Sequence, residues 1–294
     1  EAPYYEVARV AGDAAASALP ATAGFVLCTG VKPLSAAVNA QLWIDSGGGY
    51  QQYGHVDFCP TCLLSSSIGK TDTSIGITAG IDLSDVEVGG YALLDDEAIR
   101  INGVGASTLT VGRGCLDTVP QTHSGGARIY FADPFADGNY VEYAHGETVN
   151  VRMLTTTPQG VLELSAAPTD TVTMTSRLSR PYPPGQFRIN GSYYPSSVTG
   201  DVAVTWAHRD RLQQTVDVID HTAASIGPEP GTTYTVRYYS GSSLKKEVTG
   251  ITGTIDTITA AELSGVTSLR VDLFSVRDGL ASHQTHTHIC SYSG

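Results

Sequence analysis

Arg180-Pro181-Tyr182-Pro183-Pro184-Gly185-Gln186-Phe187-Arg188-Ile189-Asn190-Gly191 divides the chain into two unlike parts. Three prolines within four residues fix φ and remove backbone donors. Such a run cannot sit inside a helix or a central strand, and it reads as a stiff, extended hinge. Gly185 then releases the chain into a short strand, Gln186–Ile189, and Asn190-Gly191 signals a turn. Downstream, Val202, Val204 and Trp206 alternate with Ala203 and Thr205, and Tyr234, Val236 and Tyr238 repeat the period. Lys245–Ile251 and Thr254–Ile258 follow, then Leu269, Val271 and Leu273 on one face, then Thr285–Tyr292. Short strands without a helix predict a two-sheet sandwich over 180–294.

Upstream of the hinge the pattern is more irregular. Tyr4, Val7, Ala8 and Val10 predict a helix over Ala2–Leu19, closed by Pro20, with an extended arm as the alternative. Strand-like pieces follow at Gly24–Thr29, Val38–Asp45 and Tyr50–Phe58, the last two joined through Ser46-Gly47-Gly48-Gly49. Ser74–Thr78, Gly90–Leu94, Ala98–Asn102, Thr108–Val111 and Ala127–Phe131 continue the series. Glycine-cut strands at this spacing describe a barrel or sandwich. Val149–Leu154 and Gly160–Leu164 predict a hairpin around Pro158-Gln159, followed by a strand over Thr171–Leu178. The expected organisation is all-β. A β-rich domain with a short N-terminal helix spans 1–135, a connecting hairpin region spans 136–179, and the sandwich spans 180–294.

Composition narrows the function. The 294 residues are 41% hydrophobic, enough for packed cores, with room for two or three domains. A formal charge of -12 argues against gripping phosphate backbones, so nucleic acid is not an expected partner. No apolar run reaches the roughly 20 residues that cross a bilayer, and no signal peptide is visible. A start at Glu1 fits either a processed terminus or a piece of a longer polypeptide. Five cysteines are an odd number, so at least one is unpaired within the chain.

Few residues suggest chemistry. Cys59-Pro60-Thr61-Cys62 has metal-knuckle or redox spacing but no second such pair, so a local disulfide or two free thiols is the plain expectation. His286 and His288 fall on one strand face, an arrangement that holds a metal or simply makes a polar edge. Apart from a structural metal at one of these pairs, no cofactor is expected. Asp45-Ser46-Gly47-Gly48 resembles a protease nucleophile loop, yet no histidine motif precedes it and a hairpin turn accounts for it. Asp95, Asp96 and Glu97 read as a solvated loop, because neighbours on a strand point to opposite faces. His208-Arg209-Asp210-Arg211 reads as a turn that touches a neighbouring subunit. No phosphate loop or dinucleotide fingerprint is present.

The anchors downstream of the hinge are a Pro-rich entry, Trp206 on the second strand, Tyr234–Tyr238 on the third and Leu263 before the sixth. Over about 181–294 this resembles a fibronectin type III domain, with Leu269 where that family carries a corner tyrosine. RPYPPGQFRING, VTWAHRDR, IGPEPGTTYTVRYYSG and FSVRDGLAS are further similar to the C-terminal part of a phage tail-tip family. These are the hub and host-specificity proteins of long-tailed phages and gene transfer agents. APYYEVAR and VGRGCLDTVPQTHSGGARIYF are similar to the segments that precede that module. Ser282-His283-Gln284 departs from the family, where an aromatic residue is expected after the serine. The resemblance implies a non-enzymatic virion protein at the distal end of the tail, a homotrimer among other tail-tip proteins. It also implies attachment to a bacterial surface receptor or glycan, with Tyr193, Tyr194, Tyr238 and Tyr239 as candidate contacts. Family members are longer, which favours a piece of a larger polypeptide. A secreted carbohydrate-binding or adhesin module is the alternative, and an accessory fragment of a cell-wall hydrolase is a third.

Overall fold

A computed structural model describes residues 1–294, and almost all of the regular structure is β. The expected helix is broken in two. Helix α1 (Tyr4–Ala11) and helix α2 (Asp13–Ala18) meet at Gly12, whose φ of 85° an L side chain resists.

Strands Thr61–Leu64, Ser74–Ile81, Thr108–Gly112, Glu97–Val104, Tyr91–Leu94 and Arg128–Tyr130 close into an antiparallel barrel. Alternation drives the closure. Ile75 and Ile77, Ile99 and Ile101, and Leu109 and Val111 point inward, and Cys62 and Phe131 fill the same core. Closure leaves no unpaired edge.

An open sheet flanks the barrel. Asn39–Asp45 lies at its centre, between Gln51–Val56 and Thr148–Thr157. Gly160–Val161 and Asp170–Thr173 pair with Thr148–Thr157 in turn. Ala40, Leu42 and Ile44 face inward against Val149 and Val151. The expected connecting region 136–179 therefore supplies a central strand to the sheet begun by 39–56. The barrel is an insertion between two halves of one sheet, and no division at 135 separates them.

The last third is a sandwich of three plus four antiparallel strands. Gly185–Ile189, Val202–Ala207 and Ile255–Ile258 form one sheet. Ser243–Ile251, Thr233–Ser240, Ser268–Arg277 and His286–Ser293 form the other, with Ser197–Thr199 parallel on its edge. This strand order is that of a fibronectin type III-like domain. Phe187, Val204, Trp206, Tyr234, Tyr238, Leu269, Val271 and Leu273 share its core. Each such side chain contributes about 1.5–3 kcal/mol by leaving water.

The proline run does not behave as a spacer. Pro181 to Gly185 are buried. The Tyr182 carbonyl accepts from Ser275 Oγ at 2.8 Å, and Arg180 donates to the Ala281 carbonyl at 2.8 Å. Tyr182 joins Tyr4, Phe25, Tyr91, Leu116, Leu178 and Val218 in a core shared by the N-terminal helices, the barrel, the hinge and the 218 loop. A stiff segment with few free donors suits this position, because a buried extended strand must leave few N–H groups unpaired.

Candidate functional site

Most of the buried charged residues gather near the seam between barrel, hinge and sandwich. Glu97 opens a barrel strand and is fully buried. Arg113 grips it through two parallel bonds, Nε to Oε1 and Nη2 to Oε2, both 2.8 Å. The Gly114 and Gln121 amides donate to the same carboxylate at 2.8 Å, and His123 Nε2 bonds it at 2.9 Å. Arg113 also donates to the carbonyls of Gly69, Asp72 and Gln121. Burial pushes the Glu97 carboxyl up, but hydrogen bonds from His123 and Arg113 win and hold it below its ordinary value. The solvated-loop expectation thus holds for Asp95 and Asp96, which are exposed, and fails for Glu97. The first two lie in the turn, whereas the third begins the strand and points inward.

His123 bridges two carboxylates, Glu97 on one ring nitrogen and Asp95, at 2.7 Å, on the other. Burial lowers its pKa, and the two carboxylates together raise it above the ordinary imidazole value. Asp95, Asp96, Gln121, His123 and Gln284 line an open polar cleft of about 390 Å³ between barrel and sandwich. With both nitrogens occupied, His123 has no lone pair with which to take a substrate proton. Gln284, the last residue of the departing Ser282-His283-Gln284 stretch, latches across the cleft. Its Oε1 accepts from the Val119 amide at 2.9 Å, and its Nε2 donates to the Asp96 carbonyl at 2.5 Å.

A second group of ion pairs lies around the hinge, each less completely buried than Arg113–Glu97. Arg177 meets Asp117 through two bonds, 2.6 and 2.8 Å. Arg211 bonds Glu229 at 3.0 Å, donates to the Leu178 carbonyl at 2.9 Å and lies 4.4 Å over the Tyr4 ring. Arg277 pairs with the same Glu229 and donates to the Ser179 carbonyl. Arg209 is buried and donates to the carbonyls of His208, Ala223 and Ala224. The His208–Arg211 turn is therefore internal, and Arg209 and Asp210 are closed to a neighbouring subunit.

Four of the eight candidate residues come together. Tyr194 Oη donates to His286 Nδ1 at 3.1 Å, because His286 Nε2 donates to the Pro184 carbonyl at 2.7 Å. His288 donates to the Pro195 carbonyl at 2.7 Å and packs edge-on to Tyr194. Lys70, from the barrel, donates to the Thr287 carbonyl at 2.7 Å and lies 5.0 Å from the Tyr194 ring. Tyr193 packs on His221 and beneath Arg188. Both ring nitrogens of His286 are engaged and the side chain is buried, so it is neither a metal ligand nor part of a polar edge. Burial depresses His286 to about 3 and His221 to about 4.

The other candidates lie apart. Tyr238 is in the sandwich core and donates to Asp256 at 2.7 Å, so it is unavailable for contact. Tyr239 is half-buried under Arg270, 3.8 Å from its ring. Cys59 and Cys62 are free, buried thiols, one bonded to the Gly30 carbonyl and the other inside the barrel core. Burial pushes the Cys62 thiol up to about 12, the wrong direction for a thiolate ligand. No third His, Cys, Asp or Glu joins either pair. At the serine hairpin Asp45 Oδ1 accepts from the Gly47 and Gly49 amides, which fixes a turn. No helix is long and apolar enough to cross a membrane.

No family model and no curated protein matches the sequence. Among solved structures it is similar to the chicken CNTN1 FN1–FN3 domains, at 8% identity and a TM-score of 0.25. That alignment covers 79% of this chain and 63% of the other, so the chain spans less than two thirds of that structure. The assignment of the sandwich rests on its strand order.

Proposed function

We propose that the chain is a virion structural protein of a phage tail tip, a hub or baseplate component supporting tail assembly and host-cell attachment. The observation that carries this reading is where the residues of the tail-tip resemblance fall. Tyr4 comes from APYYEVAR, Arg113 and Asp117 from VGRGCLDT, and Tyr182 from RPYPPG. Arg211 comes from AHRDR, Glu229 from GPEPG and Arg277 from SVRDG. Tyr4, Asp117, Tyr182, Arg211 and Arg277 make contacts from one part of the chain to another, while Arg113 braces the barrel side of the seam and Glu229 holds Arg211 and Arg277 on the sandwich side. Motifs of an enzyme gather around a substrate. These gather around a joint, as suits a protein whose task is to hold position under load. In this reading the partners are other tail-tip proteins, copies of the chain in a trimer and a cell-surface receptor or glycan. Tyr193 and Tyr239 remain the aromatic contacts for the last. Immunogold labelling of intact particles with antibody to this chain tests the reading. Gold at the distal end of the tail is expected. Label on the bacterial surface and none on particles would overturn it in favour of an adhesin.

A further inference from the structure

Helix α1 buries one side and turns Val10 outward, 46% exposed. Val7 and Val10 form one wall of an open trough whose floor is Phe25 and Leu27 and whose far wall is Tyr140. Its volume is about 340 Å³ and every lining residue is apolar. A second hollow of about 360 Å³ shares Val10 and Tyr140 and continues into Arg9, His55, Asp57 and Asp137. The two make one channel, apolar at one end and charged at the other.

The charged end is net negative. Arg9 is already bonded to the buried Glu6 at 2.6 Å and faces Asp133 at 3.9 Å. Asp57 is exposed, and Asp137 accepts only neutral donors, the Tyr140 hydroxyl and the Gly138 amide. Tyr140 sits at the saddle between the ends. It is 47% exposed and holds φ at 50°, a left-handed conformation that a bulky residue adopts at a cost. Its bond to Asp137, at 2.6 Å, fixes the ring there.

We propose that this channel docks a segment of a partner protein presenting one large aliphatic or aromatic side chain beside a lysine or arginine. Charge complementarity selects the occupant. The apolar half gains by excluding water from a side chain, and the aspartates reward a cation and repel an anion. The flank of helix α1 faces a short two-stranded ribbon, Leu27–Cys28 paired antiparallel with Asp137–Gly138, and the channel stays open along its length, which admits a peptide. The proposal stands on the channel and does not require the virion reading.

The test uses the intact chain and short synthetic peptides that pair leucine or tryptophan with lysine, arginine or glutamate at each spacing. Binding is read by fluorescence anisotropy. Peptides carrying a basic residue are expected to bind more tightly than their glutamate counterparts. Val10→Ser, which removes apolar surface without adding charge, should weaken them about tenfold. Asp57→Lys should reverse the preference, so that glutamate peptides bind better. Both positions are exposed, and circular dichroism and Tm confirm that the variants are folded. Absence of peptide binding, binding indifferent to Val10→Ser, or a preference unchanged by Asp57→Lys would each overturn the proposal.

Discussion

Arg113 and Glu97 illustrate how one buried pair can be stable without water. Every oxygen of the carboxylate has at least two donors, and the guanidinium spreads its remaining N–H groups over three carbonyls. Arg113→Met removes the cation and strands a buried carboxylate. It should destabilise the protein by about 3–5 kcal/mol in denaturant titration. A loss near zero would mean that Glu97 is wetter than its burial implies. Neither partner was legible in the sequence: Asp95-Asp96-Glu97 looks like an acidic turn, and only the strand register turns the third residue inward. The clue available was an arginine flanked by Gly112 and Gly114, where the backbone comes close to whatever the side chain binds. His286 leads the acid limb of the pH dependence, with His221, depressed to about 4, adding to it. Buried and neutral, it lies well below the ordinary imidazole value of about 6.5, so the unfolded chain takes a proton that the folded chain refuses. Stability should fall as pH drops from about 6.5 toward about 3. Glu97 steepens that limb, since a depressed carboxyl stabilises above its unfolded pKa and loses the effect as pH falls through its folded one. His123 acts oppositely: its contribution is complete below the unfolded imidazole pKa and is lost as pH rises through its raised folded value. Thermal unfolding over a pH series should show an acid limb that His286→Gln flattens. An unchanged limb in that variant would assign the loss elsewhere.

At the scale of elements, the sandwich was readable because its information is local. Each strand carries its own alternation, from Val202-Val204-Trp206 to Leu269-Val271-Leu273, and the observed strands lie within a residue or two of those expected. The open sheet was readable as two local hairpins, 38–58 and 149–164, but not as one sheet. Thr148–Thr157 pairs with Asn39–Asp45 across the whole intervening barrel, and no local pattern encodes a partner so remote. The first sandwich strand has its own constraint. A Cβ on Gly185 would collide with the guanidinium of Arg209, which is already committed to several carbonyls. Gly185→Ala should therefore cost about 1–3 kcal/mol, read as a lowered denaturation midpoint. Gly48→Ala, in the open hairpin where nothing approaches, provides the contrast and should change little.

The whole molecule is held by its joint more than by its linker. The proline run suggested lobes strung on a stiff connector, yet Arg100–Asp220, the Lys70 bond to the Thr287 carbonyl and the Gln284 latch bind the sandwich to the barrel, and Arg211 reaches back to the Leu178 carbonyl and the Tyr4 ring. Calorimetry should accordingly show one cooperative transition for the native chain. Replacing Arg100 by methionine and Gln284 by alanine together should split it into two, as barrel and sandwich melt separately. Two transitions in the native chain would mean that the seam does not couple them.

The barrel leaves the open sheet and returns to it at one place, with Thr61 paired to Tyr130 and the Phe131 amide donating to the Pro60 carbonyl. That doorway makes the barrel heritable as a cassette. Genetic exchange with one crossover on each side of the doorway replaces it whole and leaves the host sheet intact. A single crossover inside it joins half of one sheet to half of another. The seam then acts as a filter on lineages, because an incoming barrel fits only if it brings an acid to meet Arg177 and a backbone to receive Gln284.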